Sequence, residues 1–180
     1  MPKAIRVYVK YVDATNRVIG RMVMYLIFVM MGILLFSSIS RTVFNVSFIW
    51  IVEMSQFIMT AYYLLGGGYS MQLGSHVRMD VFYSQLSPRA RARTDAFTAI
   101  VLIFYLAILL AGGLSSTEYA LVYGQKNYSS WAPPLAPIKI IMTFGILTML
   151  LQAIAVFFKD LAKARGKTLD GAPVDEETSA

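Results

Sequence analysis

Four long apolar windows that contain a single charged side chain between them constrain this chain more than any other feature of its sequence. Residues 22–40 are almost unbroken apolar sequence between Arg21 and Arg41. A helix that spans the hydrocarbon core of a membrane needs about 20 such residues. The other windows cover residues 42–75, 96–117 and 140–158, and Glu53 is the one charge within them. The pattern predicts four transmembrane helices, at residues of about 21–41, 46–73, 90–118 and 137–159.

The composition favours helices in a membrane over helices buried in a soluble bundle. Hydrophobic residues make up 57% of the 180 residues, charged residues make up only 14%, and the mean hydropathy is +0.60. Soluble domains carry about 25% charged residues. Helices of a soluble bundle would also keep a polar face, which these windows lack. The expected fold class is therefore an all-α integral membrane protein with four transmembrane helices.

The segments outside the windows predict amphipathic helices at the membrane surface. In residues 1–20, Ile5, Val9 and Val12 recur at helical spacing, opposite a polar stripe of Arg6, Lys10, Asp13 and Arg17. Such a helix lies in the interface between membrane and water, and the alternative is a frayed basic tail. The connection at residues 77–86 has a similar pattern. Residues 21–160 form the predicted transmembrane domain, and the polar residues 161–180 form a predicted disordered cytoplasmic tail.

The Lys and Arg residues predict the orientation of the chain. Thirteen of the 16 lie in the N-terminal segment, in the connection between the second and third windows, and in the C-terminal tail. The other two connections hold only Arg41, Lys126 and Lys139. Basic residues concentrate on the cytoplasmic side of membrane proteins, so both termini are predicted to be cytoplasmic. The net charge of +6 thus reports orientation and lipid contact, and no nucleic-acid partner is expected.

Residues that carry out chemistry are scarce. The chain has no cysteine and a single histidine, His76, which excludes disulfides, Cys-ligated metals and a two-His metal site within the chain. His76 and Asp80 are four residues apart and form at most a weak acid–base pair. No Ser-His-Asp set or pair of carboxylates is visible. We expect no catalytic site, no metal site and no cofactor in this chain, and the hypothesis of a membrane enzyme is disfavoured.

Glu53 is the only acidic residue well inside an apolar window. An ionisable residue within a membrane span is a candidate for carrying protons or binding a cationic substrate. Glu53 also lies close to Trp50 and to the end of its predicted helix. A structural role, through a hydrogen bond to a neighbouring helix or a contact with Arg41, is therefore the other interpretation.

Small residues predict where helices meet. Gly66, Ser70 and Gly74 recur every four residues, Gly67 widens that face, and Gly112 begins a similar pair on the third helix. Small residues at this spacing let helix backbones approach closely in lipid. We expect these positions, with Glu53, to form packing faces within the chain or with a partner.

Three arginines are candidates for contact with lipid head groups. Ser87 and Pro88 resemble an N-cap followed by the first residue of a helix. Arg89, Arg91 and Arg93 would then lie in its first turns, where the helix dipole disfavours cations. Anionic head groups, worth about 1 kcal/mol for each basic residue, would offset this cost. Positive charge on the cytoplasmic side is the simpler explanation.

From the second window onward, the chain resembles the small membrane subunit of tripartite ATP-independent periplasmic (TRAP) transporters. The resemblance rests on Glu53, on the Leu-Gly-Gly-Gly-Tyr run at residues 65–69, and on the Gly-Ser-His-Val-Arg-Met-Asp run at residues 74–80. Residues 13–21 and the Pro-x-Lys at 137–139 also match, so the similarity covers roughly residues 10–160. Gln72 departs from the pattern, because a basic residue that could contact a lipid phosphate is expected there.

The resemblance implies a scaffold role in a bacterial inner membrane. The family's large membrane subunit carries the substrate and sodium sites, and the small subunit braces it. A periplasmic binding protein delivers an organic acid and docks on both. The expected partners are thus the large subunit, the binding protein and phospholipids. In this chain His76, Arg78 and Asp80 would fix the inner-surface turn, and Arg41 and Lys126 would contribute to docking the binding protein.

A rival hypothesis is a small exporter that assembles from copies of this chain. Glu53 would then bind protons and substrate near the midplane of a homodimer, and no large partner would be needed. Neither hypothesis identifies the substrate.

Overall fold

A computed structural model of the chain describes residues 3–73 and 88–164, and every regular element within these residues is an α-helix. This confirms the prediction of an all-α protein. The helices are α1 (Lys3–Met24), α2 (Leu26–Phe44), α3 (Trp50–Gln72), α4 (Pro88–Val122) and α5 (Ala136–Ala164).

Three stretches of the described chain are long and apolar enough to cross a membrane: Ala4–Phe44, Phe97–Val122 and Ala136–Ala162. The first of them includes both α1 and α2. The helix α3 has 23 residues, which at about 1.5 Å per residue reaches across a hydrocarbon core. Its glycines and its polar residues, such as Glu53 and Gln56, make it less apolar than the other three. The prediction of four spans is therefore not confirmed by length and composition alone.

The helix boundaries differ from the predicted ones at several places, and α4, for example, ends at Val122 rather than near 118. The N-terminal helix continues past residue 20 to Met24, and only Tyr25 separates it from α2. The helix α2 ends where Asn45 adopts a left-handed conformation (φ 54°) and its N–H bonds the Ser40 carbonyl, a common helix ending. As a result α3 begins at residue 50 rather than near 46. The helix α5 extends to Ala164. The predicted surface helix at 77–86 and the tail from 165 onward lie outside the described residues.

Glycine contacts define the direction of the central helices. A Cβ placed at Gly145 on α5 would lie 2.9 Å from the Leu64 Cβ and 3.0 Å from the Leu64 carbonyl carbon. Further along both helices, Gly67 faces the Met149 side chain. The residue numbers of the contacting positions increase together along the two helices, so α3 and α5 run parallel. The helix α4 runs antiparallel to α5, because Thr117 bonds the Lys139 carbonyl whereas the earlier residue Gly113 contacts the later residue Ile146.

Parallel packing of α3 and α5 gives the molecule two distinct ends. One end, called here the tryptophan end, holds Trp50 and Trp131 beside the beginnings of α3 and α5. Toward the opposite end, α1 lies against the last turns of α3 and the second half of α5. The core at this end contains Met71, Leu106 and Ala153.

Much of the apolar surface is exposed, as expected for a protein surrounded by lipid. Ser40 is the one buried residue of α2, and Phe28, Leu35 and Phe44 are 64%, 56% and 71% exposed. A soluble monomer rarely exposes large contiguous apolar patches. The surface of α2 therefore suits lipid or a partner helix rather than water.

The close approach of α3 and α5 predicts that Gly145→Ala destabilises the chain. The added methyl group would meet the Leu64 backbone, which cannot rotate away. Overpacking of this kind costs about 1–3 kcal/mol. Thermal unfolding in detergent should show a lower midpoint for Gly145→Ala than for the matched control Gly32→Ala, which adds a methyl group where no atom lies within 4 Å. Equal midpoints for the two variants would contradict the packing of α3 on α5.

Candidate functional site

The helix α1 packs through one face onto the bundle. Val9, Asn16 and Val23 are 3%, 2% and 5% exposed, and Gly20 is also buried. A Cβ at Gly20 would overlap the Tyr69 side chain. The backbone of α1 at Gly20 therefore packs directly against the Tyr69 side chain of α3. The helix crosses α5 rather than running along it. Tyr8 and Asn16, about 12 Å apart along α1, reach the adjacent residues Leu151 and Gln152.

Four polar side chains join α1 to α5, and we call them the α1–α5 polar network: Asp13, Asn16, Gln152 and Lys159. Asn16 Nδ2 donates to Gln152 Oε1 at 2.7 Å, and Gln152 Nε2 donates to Asp13 Oδ1 at 2.9 Å. The other carboxylate oxygen of Asp13 accepts from Lys159 Nζ at 2.6 Å. Gln152 is completely buried. The network thus runs from a buried amide pair to a partly exposed ion pair.

The α1–α5 polar network stabilises the position of α1. A buried polar group that loses its hydrogen-bond partner costs about 1–3 kcal/mol, so each amide restricts where α1 can lie. The network is also tightly enclosed. Asn16 Oδ1 has no hydrogen-bond partner among the described residues, and a Cβ at Gly68 would lie 2.8 Å from it. Gly68 therefore provides the room that the Asn16 amide occupies.

The sequence interpretation placed Asp13 on a water-facing stripe and assigned no role to Asn16 or Gln152. In the structure Asp13 is partly buried and bonded to α5. A signal was present in the sequence, because Gln152 is the only amide in the window 140–158. A polar amide in a membrane span often bonds a neighbouring helix.

The predicted small-residue face on α3 borders an open groove between α1 and α3. The groove has a volume of about 360 Å³ and is lined by Gly20, Val23, Met24, Tyr62, Tyr63, Gly66, Gly67, Tyr69, Ser70 and Leu73. A Cβ at Gly66 would meet only Val23, at 3.8 Å. Gly67 instead contacts Met149 within the bundle. Gly66 and Ser70 therefore present a largely apolar depression to whatever surrounds the chain.

The other predicted packing residues are placed as follows. Gly112 on α4 is exposed, with no atom within 4 Å of a Cβ placed there, whereas its neighbour Gly113 contacts Thr143 at 3.2 Å. Gly112 is thus open to lipid or a partner, and the contact within the chain is made one residue later. Gly74 lies outside the described residues.

Glu53 is buried near the tryptophan end. It is 6% exposed, and its Oε2 atom has no hydrogen-bond partner among the described residues. Arg41 is exposed, and the described structure contains no ion pair between Arg41 and Glu53. The suggested contact between the two is therefore absent.

A hydrogen-bonded loop, residues 123–135, covers the tryptophan end. Leu135 N–H bonds the Gln125 carbonyl at 2.9 Å, and Asn127 N–H bonds the Pro133 carbonyl at 3.0 Å. Lys139 Nζ donates to Gln125 Oε1 at 2.6 Å and to the Ser116 carbonyl. These bonds join α4, the loop and α5. Lys126 lies within this ordered loop and is exposed.

The remaining predicted residues follow α3 in the sequence. His76, Arg78 and Asp80 lie outside the described residues. Arg89, Arg91 and Arg93 lie in the first turns of α4, as predicted for a helix that begins at Pro88. In residues 3–73 and 88–164, no group of three His, Asp or Glu side chains is close enough together to hold a metal ion.

Removal of Gln152 should loosen α1. In Gln152→Leu, Asn16 Nδ2 and Asp13 Oδ1 each lose a hydrogen bond inside the protein, at a cost of about 1–3 kcal/mol. Hydrogen exchange of the α1 amides should accelerate, while exchange in α4 changes little. Gln56→Leu is the matched control, because Gln56 is an exposed residue of α3. Unchanged exchange in α1 of Gln152→Leu would show that the network does not hold the helix.

Comparison with known proteins identifies the family of the chain. The family model of the DctQ component of tripartite ATP-independent periplasmic transporters matches residues 30–163, more than two thirds of the chain. The match covers α3 and α4, most of α2 and nearly all of α5, and it begins after α1. No curated protein and no solved structure matches the chain. The resemblance inferred from the sequence is confirmed, and the chain belongs to the DctQ family of inner-membrane, multi-pass transporter components.

Proposed function

We propose that this chain is the small scaffold subunit of a sodium-coupled transporter that takes up an organic acid delivered by a periplasmic binding protein. The observation that carries the proposal is the family match over residues 30–163. The use of polar side chains supports it. Asp13, Asn16, Gln152 and Lys159 bond one another, so they hold helices together rather than lining a substrate site. In this proposal, the large membrane subunit supplies the substrate and sodium sites.

The proposed topology has four spans, α2 to α5, with α1 on the cytoplasmic surface and both termini in the cytoplasm. The parallel packing of α3 and α5 and the antiparallel packing of α4 support an alternating path through the membrane. Exposed Lys10, Arg17 and Arg21 of α1 lie at the end opposite the tryptophans. Basic residues favour the cytoplasmic side, so the tryptophan end faces the periplasm.

The groove between α1 and α3 is the proposed binding site for a helix of the large subunit. Its floor at Gly66 and Ser70 lets a second backbone approach closely, which drives helix association in lipid. Tyrosine hydroxyls from Tyr62 and Tyr63 on its wall can bond polar groups of that helix. Gly112 marks a second open position on the far side of the bundle.

The tryptophan end is the proposed docking site for the binding protein, and Arg41 and Lys126 contribute positive charge there. Both are exposed, and the hydrogen bonds of the 123–135 loop hold Lys126 in a defined position. Contact of Arg89, Arg91 and Arg93 with lipid head groups remains a proposal from the sequence. The role of His76, Arg78 and Asp80 in the inner-surface turn also remains one.

The rival hypothesis, a self-assembling exporter that uses Glu53, is not favoured. It needs a carboxylate that reaches an aqueous path between two copies of the chain. Glu53 is instead 6% exposed in a single chain, and it lies in the first turn of α3 rather than at its middle.

Cysteine labelling tests the proposed orientation. The chain has no natural cysteine, and Tyr128 in the 123–135 loop is fully exposed. In intact cells, a maleimide that cannot cross the inner membrane should label Tyr128→Cys. The matched variant Ala14→Cys, on the exposed side of α1, should react only after the membrane is permeabilised. The reverse pattern would overturn the orientation without affecting the fold.

Filling the groove tests the proposed contact with the large subunit. A Cβ at Gly66 would meet only Val23, at 3.8 Å, and the groove of about 360 Å³ leaves room for the rest of a leucine side chain, so Gly66→Leu should keep the unfolding midpoint of the subunit itself. Co-purification of the large membrane subunit should fall at least tenfold, because a close backbone contact is blocked. Gly32→Leu, at an open position of α2, is the matched control. Full co-purification with Gly66→Leu would exclude this groove as the interface.

A further inference from the structure

The helix α1 has two exposed stripes in addition to the face that packs on the bundle. The first stripe is basic and consists of Lys10, Arg17 and Arg21, all exposed. Because a helix turns about 100° per residue, these three positions lie within a strip about 40° wide. They are spaced along more than half of the 22-residue helix.

The second stripe is apolar and is nearly opposite the buried face. Val7, Tyr11, Val18 and Met22 are 53%, 71%, 54% and 69% exposed. Their positions lie about 60° to 120° around the helix from Lys10. The buried residues Val9, Asn16, Gly20 and Val23 lie on the other side of the basic stripe. A helix that only packed on its own bundle would not need this second apolar stripe.

The charge of the basic stripe is not neutralised within the described chain. Asp13 is the only acidic residue of α1, and both of its carboxylate oxygens accept hydrogen bonds from α5. The structure records no ion pair for Lys10, Arg17 or Arg21 among residues 3–73 and 88–164. The three cations of the basic stripe therefore lie along one side of α1, next to exposed apolar side chains.

We propose that α1 binds anionic phospholipids, with the basic stripe on the head-group phosphates and the apolar stripe among the acyl chains. A helix with adjacent basic and apolar faces lies in the membrane interface in this way. The position of α1 fits, because only Tyr25 separates it from the apolar helix α2, which fixes its C-terminal end at the membrane boundary. The α1–α5 polar network already holds the helix on the bundle, so lipid binding does not have to order it.

This site differs from the arginines at the start of α4, which the sequence alone had suggested for lipid contact. It lies on the segment that precedes the family match at residues 30–163. The inference needs α1 to lie at a membrane surface, but it does not need the large subunit or any transport activity. An acidic surface on a partner protein is the competing occupant.

The test compares variants of the full chain, purified in detergent and titrated with palmitoyl-oleoyl phosphatidylglycerol or phosphatidylcholine. The unfolding midpoint is followed through the fluorescence of Trp50 and Trp131. For Arg17→Gln/Arg21→Gln, the apparent affinity for phosphatidylglycerol should fall roughly fivefold for each side chain removed. Arg41→Gln/Lys126→Gln, which removes two exposed cations at the opposite end, should retain the wild-type affinity. Val18→Ser/Met22→Ser should also bind phosphatidylglycerol more weakly, because the acyl contacts are lost.

Each arm has an outcome that overturns the proposal. Equal affinities of Arg17→Gln/Arg21→Gln and Arg41→Gln/Lys126→Gln for phosphatidylglycerol would show that the basic stripe does not bind lipid. Stabilisation by inorganic phosphate to the same extent would indicate an isolated anion site without acyl contacts. If the variants do not fold, hydrogen exchange of the wild-type chain decides, because phosphatidylglycerol should slow the α1 amides more than phosphatidylcholine does. Equal exchange in both lipids, with protection only after addition of the large subunit, would assign α1 to a protein partner instead.

Discussion

The hydrogen bonds between α1 and α5 are the interaction on which the arrangement of this chain depends. The helices α3 and α5 pack through small and apolar residues, and Thr117 and Lys139 add hydrogen bonds between α4 and α5. The helix α1 depends on the amides of Asn16 and Gln152, because each leaves a buried polar group unsatisfied if α1 moves. The network therefore fixes α1 across the second half of α5, beside the end of α3. The groove at Gly66 and the two exposed stripes of α1 take their positions from it.

The use of polar side chains to fix helices agrees with the proposed role as a scaffold subunit. The longest polar side chains within the bundle, such as Gln152 and Lys139, bond neighbouring helices or the 123–135 loop, and many large apolar side chains of the described residues are exposed. A transport site needs polar groups that exchange partners as a substrate enters and leaves. The α1–α5 polar network and the Lys139 bonds to Gln125 and Ser116 instead fix helices and a loop. The proposal that a partner subunit carries out transport fits these contacts and the membership in the DctQ family.

Much of the fold could be predicted from the sequence, because uncharged windows of membrane-spanning length leave few alternatives to helices. The family could also be predicted, since its motifs keep their order along the chain. The roles of neighbouring glycines could not. Gly66 opens into the groove, Gly67 faces Met149 and Gly68 faces Asn16, because each residue is turned about 100° from the last. The sequence showed one smooth face where the structure has three separate contacts.

The α1–α5 polar network was missed for a different reason. Asn16 and Gln152 are 136 residues apart, and nothing local to either residue indicates its partner. Asp13 looked like a residue of a solvated stripe because its neighbours at helical spacing are cations. Only the crossing of α1 over α5 turns that carboxylate toward Lys159 and Gln152.

Reconstitution into proteoliposomes tests the central claim most directly. The chain alone, with a sodium gradient and the periplasmic binding protein loaded with its organic acid, should show no uptake above that of empty liposomes. Addition of the large membrane subunit should give uptake that depends on both the sodium gradient and the binding protein. Substrate uptake by this chain without the large subunit, or equal uptake by the large subunit when this chain is left out, would contradict the account.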